Sequence, residues 1–513
     1  MSRQLRVDWR AALSLTGRVT KWLSVPLLFP IAIASYYGRG LGPFALTLLV
    51  ALVLGWALER LHDDPREAVG AREGFLMVAA TWLIVSVVGA LPYVLEGAMT
   101  TYGAASTLRL PVNALFESMS GFTTTGSTVM GSIGFERHSR AVMMWRQETQ
   151  WLGGMGIIVL AIAILPELSA GGAQLMDAEA PGPGLEKLTP RIAETARALW
   201  GIYIGLTVLE ILGLVTLHAL GMAPEMGVYN AVAHGFTTMP TGGFSPAAHS
   251  IAAFSAAVQW LIVPFMVFAG INFALFWHLL TGDWSTVATD VEVRAYFGIV
   301  ATVALLLFGL LYTAPSVTPL AGSLEPALRH AVFQAVTIVT TTGYASIDFA
   351  AWGQPAQYVL VAAMFIGGSA GSTGGSIKIV RWVVIVKSLG RELFSLVHPD
   401  AVRPVRLGER SVDETAIRGI YAFTLLYLLL FVVATTVIVA NGVTDGTLSA
   451  FEAMSAVAAT LGNVGPGVGI VGPMNHFIPF PRSSKLFMVF LMWVGRLEIF
   501  PVAILLTRAY WRS

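Results

Sequence analysis

The sequence predicts an all-α polytopic membrane protein: four repeated units of helix, pore helix, filter loop and helix around one pore, plus an N-terminal two-helix hairpin. Three observations predict it. Hydrophobic residues make up 55% of the 513 positions and charged residues 12%, and mean hydropathy is +0.71, a bilayer composition rather than that of a soluble enzyme. Long apolar runs alternate with short ones, and crossing a bilayer takes about 20 helical residues. Between them a small, polar, glycine-containing stretch recurs. It stands as Phe122-Thr123-Thr124-Thr125-Gly126-Ser127-Thr128, Pro240-Thr241-Gly242-Gly243-Phe244, Thr340-Thr341-Thr342-Gly343-Tyr344 and Gly462-Asn463-Val464-Gly465-Pro466. Aligned on Gly126, Gly243, Gly343 and Gly465, the copies lie roughly 100–120 residues apart, which marks internal repetition.

Composition narrows the function classes. A formal net charge of +1 suggests no nucleic-acid partner, and the absence of cysteine excludes disulfides and thiolate metal sites. The 52 glycines are above the usual share of about 7%; membrane proteins use them where helices pack closely or backbone lines a cavity. The N-terminus shows no signal-peptide cleavage pattern, so its first apolar run reads as a retained span.

The hairpin, residues 1–72, holds the runs Trp22–Tyr37 and Phe44–Leu58. Arg3, Arg6, Arg10, Arg18 and Lys21 before it, and Arg60, Arg66 and Arg72 after it, place both ends in the cytoplasm. The first repeat, 73–196, has a span Phe75–Leu95, a short helix Val112–Gly121 and a span Val142–Leu165. The second, 197–291, has Leu199–Leu220, Val228–Phe236 and Val258–Leu280. The third, 292–412, has Ala295–Leu311, Ala327–Ile338 and a long run Tyr358–Val386. The fourth, 413–513, has Ile420–Val439, Leu448–Ala459 and Leu486–Leu506. The short helices can only be re-entrant or interfacial, and non-helical backbone at membrane depth is tolerated where it is buried or lines water.

The recurring loops suit a cation filter. A potassium ion must exchange its water shell for other oxygens, and rings of backbone carbonyls from four loops can supply them. Glycine permits the positive φ that turning the carbonyls demands. The four loops carry no Asp or Glu, and carbonyl dipoles suit a weakly hydrated monovalent ion. Each short helix would aim its partly negative C-terminus at the axis, which favours a cation there. Thirteen positions before the filter glycines stand Asn113, Asn230, His330 and Glu452, one polar anchor per pore helix.

Basic residues support the topology. Lys187, Arg191 and Arg197 follow the first quarter; Lys387, Arg391, Arg403, Arg406, Arg410 and Arg418 follow the third; Arg508 and Arg512 end the chain. Arg137, Arg140 and Arg146, near the first filter, run against the rule. Both termini are expected in the cytoplasm, with all four loops entering from outside.

Two features suggest a gate. Within Tyr358–Val386, the stretch Gly367–Ser376 is almost all Gly, Ser, Ala and Thr. A continuous helix there would lose about 1 kcal/mol per glycine relative to alanine, so two helices joined by an intramembrane loop are expected, the alternative being close packing through small residues. Arg496 lies mid-span, where arginine is costly unless it faces water or a partner. It is read as a positive charge beneath the filter or as half of a structural ion pair; Glu498, two residues on, points elsewhere. Glu210, also mid-span, is assigned no role.

The whole order of pieces resembles the TrkH/TrkG branch of the Trk–Ktr potassium transporter superfamily. The segments that carry it are Trp145-Arg146-Gln147 with Trp151-Leu152-Gly153-Gly154-Met155-Gly156; Gly172-Ala173-Gln174-Leu175 through Lys187-Leu188-Thr189-Pro190-Arg191; Asn272-Phe273-Ala274-Leu275; Gly367 to Gly375; and Gly495-Arg496-Leu497-Glu498. The resemblance implies potassium uptake across the bacterial inner membrane, a homodimer among membrane lipid, and a cytosolic nucleotide-binding regulatory subunit of the TrkA type. It implies ion contacts from Thr124, Thr125, Thr241, Gly242, Thr341, Thr342, Asn463 and Val464. It favours a mobile plug at Gly371, Ser372, Thr373, Gly374 and Gly375, working with Arg496. Potassium is cargo, and no cofactor is called for. The second and fourth loops depart most from the Thr-Thr-Thr-Gly form.

Two rivals remain at this level. A proton- or sodium-coupled symporter needs a titratable or second-ion site, for which Glu117, His234 and Glu452 are the candidates. A rhomboid-like intramembrane serine protease is suggested by Gly367-Gly368-Ser369-Ala370-Gly371, a match to G-x-S-x-G, which gives the four glycine loops no role. Gly371 to Lys378 is not a P-loop, since Ile377 stands where a glycine is needed before the lysine.

Overall fold

Prolines and glycines punctuate the helices. The computed structural model describes residues 7–62, 70–163, 192–313, 320–444 and 446–511. Arg3, Arg6, Arg66, Lys187, Arg191, Arg512, Leu165 and the segment Gly172 to Pro190 lie outside the described residues. The N-terminal region is three helices rather than two: α1 (Trp9–Trp22), α2 (Leu28–Tyr37) and α3 (Leu41–Glu59). The expected run Trp22–Tyr37 is therefore only ten residues of helix. Pro26 has no N–H and disfavours helical geometry in the residue before it, so α1 ends and a turn precedes α2. The amphipathic α1 packs along α3, where Gly17 and Gly55 face each other so closely that a Cβ on either would meet backbone at 2.6–2.7 Å. Glu59 binds Arg18 and Lys21 at the end of this pair.

The four repeats follow. The first is α4 (Ala71–Met99), pore helix α5 (Pro111–Phe122) and α6 (Arg140–Ala163). The second is α7 (Ile192–Ala219), pore helix α8 (Val228–Thr238), α9 (Ala256–Ala269) and α10 (Phe273–Leu280). After a short connector, α11 (Trp284–Thr289), come α12 (Val291–Thr313), pore helix α13 (Leu324–Val339), α14 (Gln354–Ala363) and α15 (Ile379–Val397). A hairpin of β1 (Arg406–Leu407) and β2 (Arg410–Ser411) leads to α16 (Glu414–Asn441), pore helix α17 (Ala450–Leu461), α18 (Arg482–Arg496), α19 (Phe500–Leu505) and α20 (Arg508–Trp511). Among the described residues five helices are long and apolar enough to cross a membrane: 41–59, 72–99, 196–219, 291–313 and 414–441.

Two expected spans are broken. Val258–Leu280 is α9 and α10, bent by 99°. The end of α9 gives its carbonyls away: Ala269 O accepts from Thr373 Oγ1 at 3.2 Å and Gly270 O accepts from Ser369 N at 2.9 Å. Asn272 then caps α10 by accepting from Ala274 N at 2.9 Å. Leu486–Leu506 breaks after Arg496, because Pro501 in the first turn of α19 has no N–H to continue the ladder. Glu498 and Ile499 take positive φ, 56° and 60°, to make the corner. The long run Tyr358–Val386 breaks as its glycines predict: α14 ends at Ala363 and α15 begins at Ile379.

The quarters close into a ring. Pore helix α8 packs on α7 and on α6 of the preceding quarter; α13 packs on α12 and α9; α5 packs on α4 and on α18 of the last quarter. Phe116 of α5 meets Phe477, ring centroids 5.6 Å apart, and Lys485 of α18 donates to Asn113 Oδ1 at 3.2 Å.

Candidate pore and gate

Each pore helix ends with the same backbone figure. Thr124, Thr241, Thr341 and Asn463 have φ of 51°, 56°, 59° and 53°, and two residues later Gly126, Gly243, Gly343 and Gly465 have 82°, 74°, 79° and 109°. Left-handed backbone costs a non-glycine residue about 1–2 kcal/mol, with Asn the most tolerant. The strain is held by hydrogen bonds repeated in every quarter. The N–H groups of Thr125, Gly242, Thr342 and Val464 donate to Ser120, Thr237, Thr337 and Ala459 carbonyls at 2.8, 2.9, 2.8 and 2.9 Å. With the N–H groups turned back to the helix, the loop carbonyls are left for other partners.

The loops also meet in cyclic order. A Cβ on Gly126 would lie 2.2 Å from Gly242 O, one on Gly243 2.0 Å from Thr342 O, one on Gly343 2.1 Å from Val464 O, and one on Gly465 2.8 Å from Thr125 O. Each filter glycine thus faces the carbonyl just before the filter glycine of the next quarter, and the fourth closes on the first. Above them an open cavity of about 470 Å³, its mouth included, is lined by all four filter glycines, Arg146, Ser245 and Asn475 among others.

Buried side chains clamp the chain segments that follow the loop glycines. Glu117 accepts from Thr128 Oγ1 at 2.8 Å and Val129 N at 2.8 Å, and binds Arg146 at 2.6 Å. Arg146 also donates to Ser245 O at 3.0 Å and lies 3.5 Å over the Phe244 ring, so this arginine is a tie between the first and second loops. His234, at the same repeat position as Glu117, reaches Ser245 Oγ at 3.0 Å with Nε2 and Asn230 O at 2.7 Å with Nδ1. Gln334 donates to Ser346 Oγ at 3.2 Å. Glu452 forms a capping box with Ser449 and accepts from Ile470 N at 2.9 Å. Of the other polar anchors, Asn230 bonds Glu225 O at 2.8 Å and His330 bonds Ser346 Oγ at 2.8 Å.

The glycine loop between α14 and α15 lies against the starts of the second, third and fourth recurring loops. Gly375 N donates to Thr341 Oγ1 at 2.7 Å, and a Cβ on Gly375 would meet Gly462 O at 2.4 Å. Thr373 Oγ1 reaches Met239 O at 3.0 Å. Gly371, at φ 71°, packs on Asn272, and its carbonyl accepts from Phe273 N at 3.1 Å. Ser372 Oγ donates to Ser369 O at 2.6 Å and accepts from Gly374 N at 3.3 Å, while Lys378 donates to Gly374 O.

Arg496, 2% exposed, donates to Thr373 O at 2.8 Å and Gly153 O at 3.3 Å. Glu498 instead binds Arg381 of α15 at 2.5 Å. The structure thus brings together Arg496, the glycine loop and the filter, which lie far apart in sequence. Residues that sequence reasoning missed are Gln150, which touches the second loop, and Glu292, whose Oε1 accepts from Ala370 N at 2.8 Å and Val380 N at 3.1 Å. Glu292 carried a signal, a carboxylate at the head of an apolar run; nothing local marks what it binds. Ser369 Oγ has no hydrogen-bond partner among the described residues, so no His is hydrogen-bonded to the serine of the hydrolase-like motif. Among the described residues no group of three or more His, Asp or Glu could hold a metal ion.

Fold and loops together define a polytopic helical membrane protein in which four pore-loop units surround one axis. A sequence model of the TrkH family, described as cation transport protein, matches residues 43–512. The Trk system potassium uptake protein TrkH of Escherichia coli K12 is 37% identical, over 99% of this chain and 100% of its own length. TrkG of the same strain, also a Trk system potassium uptake protein, is 32% identical over 96% of each chain. The crystal structure of the potassium transporter TrkH from Vibrio parahaemolyticus superposes with a TM-score of 0.85 at 34% identity, covering 99% of this chain and 100% of that one. The chain belongs to the TrkH family of cation transport proteins.

Proposed function

We propose that this chain takes up potassium through a filter formed by the four glycine loops. The observation that carries it is the closed ring, in which each filter glycine faces a carbonyl of the next quarter. Such a ring offers oxygens in place of the ion's water shell, without fixed charge. Thr124, Thr125, Thr241, Gly242, Thr341, Thr342, Asn463 and Val464 supply the ion contacts, chiefly through backbone carbonyls. Beneath them the loop at Gly371–Gly375 and Arg496 form the gate. The protein sits in the bacterial cytoplasmic membrane with both termini inside. It works as a homodimer, and a TrkA-type nucleotide-binding subunit on the cytosolic side controls the gate.

Channel-like flux is the better reading over proton- or sodium-coupled symport, because Glu117, His234 and Glu452 are each engaged in bonds that hold the loops. Reversal potentials in proteoliposomes, measured against separate potassium, sodium and proton gradients, test both points. Flux that follows the potassium gradient alone is expected; a reversal potential that moves with the proton or sodium gradient overturns the channel reading. Addition of a TrkA-type subunit and nucleotide should change the flux of the purified dimer. A monomer with full, unresponsive flux would remove both partners.

A further inference from the structure

We propose that Gln150 is a positioning residue for the second filter loop, taking there the part that a pair of threonine hydroxyls plays in the first and third. The proposal rests on the filter reading above. In loop one, Thr125 Oγ1 lies 2.7 Å from Thr123 Oγ1, which donates to Met119 O at 2.6 Å. In loop three, Thr342 and Thr340 repeat the figure at 2.7 Å, with Thr340 donating to Val336 O at 2.8 Å. The residue before the filter glycine is thereby tied to its own pore helix. Loop two has Gly242 at that place and no hydroxyl to tie.

Gln150 stands there instead, reaching in from α6 of the first quarter and fully buried. Its Nε2 donates to Gly242 O at 2.7 Å and its Oε1 accepts from Phe244 N at 3.1 Å, so one amide spans Gly243 and holds the loop on both sides. Only one orientation of the amide satisfies both contacts. The same side chain accounts for the glycine. Gly242 is not among the residues with positive φ, so its backbone does not require glycine. A Cβ there would instead lie 2.4–2.8 Å from the Gln150 amide. The second loop departs from the threonine pattern because a neighbouring quarter fills the space.

The ring of carbonyls is consequently unequal. Among the described residues, Thr125 O, Thr342 O and Val464 O accept no hydrogen bond, whereas Gly242 O shares a lone pair with Gln150. Its direction is fixed and its pull on a passing cation reduced. Number and field strength of coordinating dipoles set selectivity in one account of such filters, so Gln150 acts on discrimination through Gly242.

The test is a size exchange read as the ratio of potassium to sodium uptake per folded protein in proteoliposomes. Gln150→Met keeps the volume and removes both bonds; the ratio should fall about fivefold or more, the worth of a lost hydrogen bond. Gly242→Ala should abolish uptake on its own and recover it in a Gln150→Ala background, where the Cβ has room. If Gln150→Met does not fold, the shortened amide of Gln150→Asn is read the same way. An unchanged ratio, or Gly242→Ala behaving alike in both backgrounds, overturns the proposal. Gly343→Ser serves as the reference: if it lowers the ratio and Gln150→Met does not, only the Gln150 assignment falls. If Gly343→Ser also leaves the ratio unchanged, the filter reading falls with it.

Discussion

Arg496 donates to the Thr373 carbonyl at 2.8 Å, joining the last turn of α18 to the glycine loop between α14 and α15. The second donor of the same guanidinium goes to Gly153 O of α6 at 3.3 Å. Among the described residues no carboxylate forms an ion pair with it, and Glu498, the nearest in sequence, is bound to Arg381. On the gate reading proposed above, this buried positive charge held by neutral carbonyls opposes a cation more than it would in water, and its withdrawal leaves no uncompensated counter-charge behind.

Arg496→Ala should therefore fold and raise potassium flux. The structural loss is that of two hydrogen bonds from a charged donor, about 1.5–3 kcal/mol each. Flux per folded dimer checks it, and Arg496→Lys should lie between the two. A well-folded alanine variant with wild-type or lower flux would take the arginine out of the gate.

Glu292 should act as a latch for the same loop, because one carboxylate oxygen holds both Ala370 N and Val380 N. Glu292→Gln keeps an acceptor in place and should conduct nearly as wild type. Glu292→Ala frees both ends of the loop and should raise flux at unchanged potassium-to-sodium ratio. The paired measurement of rate and ratio decides: a changed ratio would place the residue in the filter's support instead.

The four filter glycines should not be equally sensitive. The distances from a new Cβ to the next loop's carbonyl are 2.0, 2.1 and 2.2 Å for Gly243, Gly343 and Gly126, against 2.8 Å for Gly465. Alanine at the first three should abolish discrimination of potassium over sodium. At Gly465 the clash is milder but φ of 109° still opposes a side chain, so a partial loss is expected. Uptake ratios for rubidium and sodium across the four variants check the order; equal effects at all four would count against the ring geometry.

The Arg381–Glu498 pair should be a determinant of stability rather than of flux. The Arg381 and Glu498 side chains are 6% and 27% exposed, and Arg381 also lies 3.8 Å over the Phe423 ring. Breaking a buried pair from one side costs about 3–5 kcal/mol; the lower figure applies here because Glu498 is partly exposed. Glu498→Gln should lower the thermal midpoint in detergent, and Arg381→Met added to it should restore part of the loss. A double variant no better than the single one would show that the ion pair is not what holds this corner.

The sequence was most legible where structure follows from local chemistry. Gly126, Gly243, Gly343 and Gly465 stand out because positive φ at those places admits little else. The break at Gly367–Ser376 follows from helix propensity alone. Prolines at 26 and 501 and the cap at Asn272 were equally local signals for three further breaks, but the apolar runs around them masked the interruptions. Hydropathy measures transfer to lipid, not continuity of the helical ladder.

Sequence alone therefore determined that this chain crosses a membrane, that it repeats four times, and that each repeat carries a loop able to turn its backbone back on itself. Tertiary structure decided what those loops touch. Gln150 on Gly242, Arg496 on Thr373, Arg381 on Glu498 and Glu292 on Ala370 join residues 92, 123, 117 and 78 positions apart. No pattern of spacing encodes such pairs. The first three exist because quarters meet around one axis, the fourth because one quarter folds back on itself, and in each the buried polar group finds its partner wherever the fold brings one within reach.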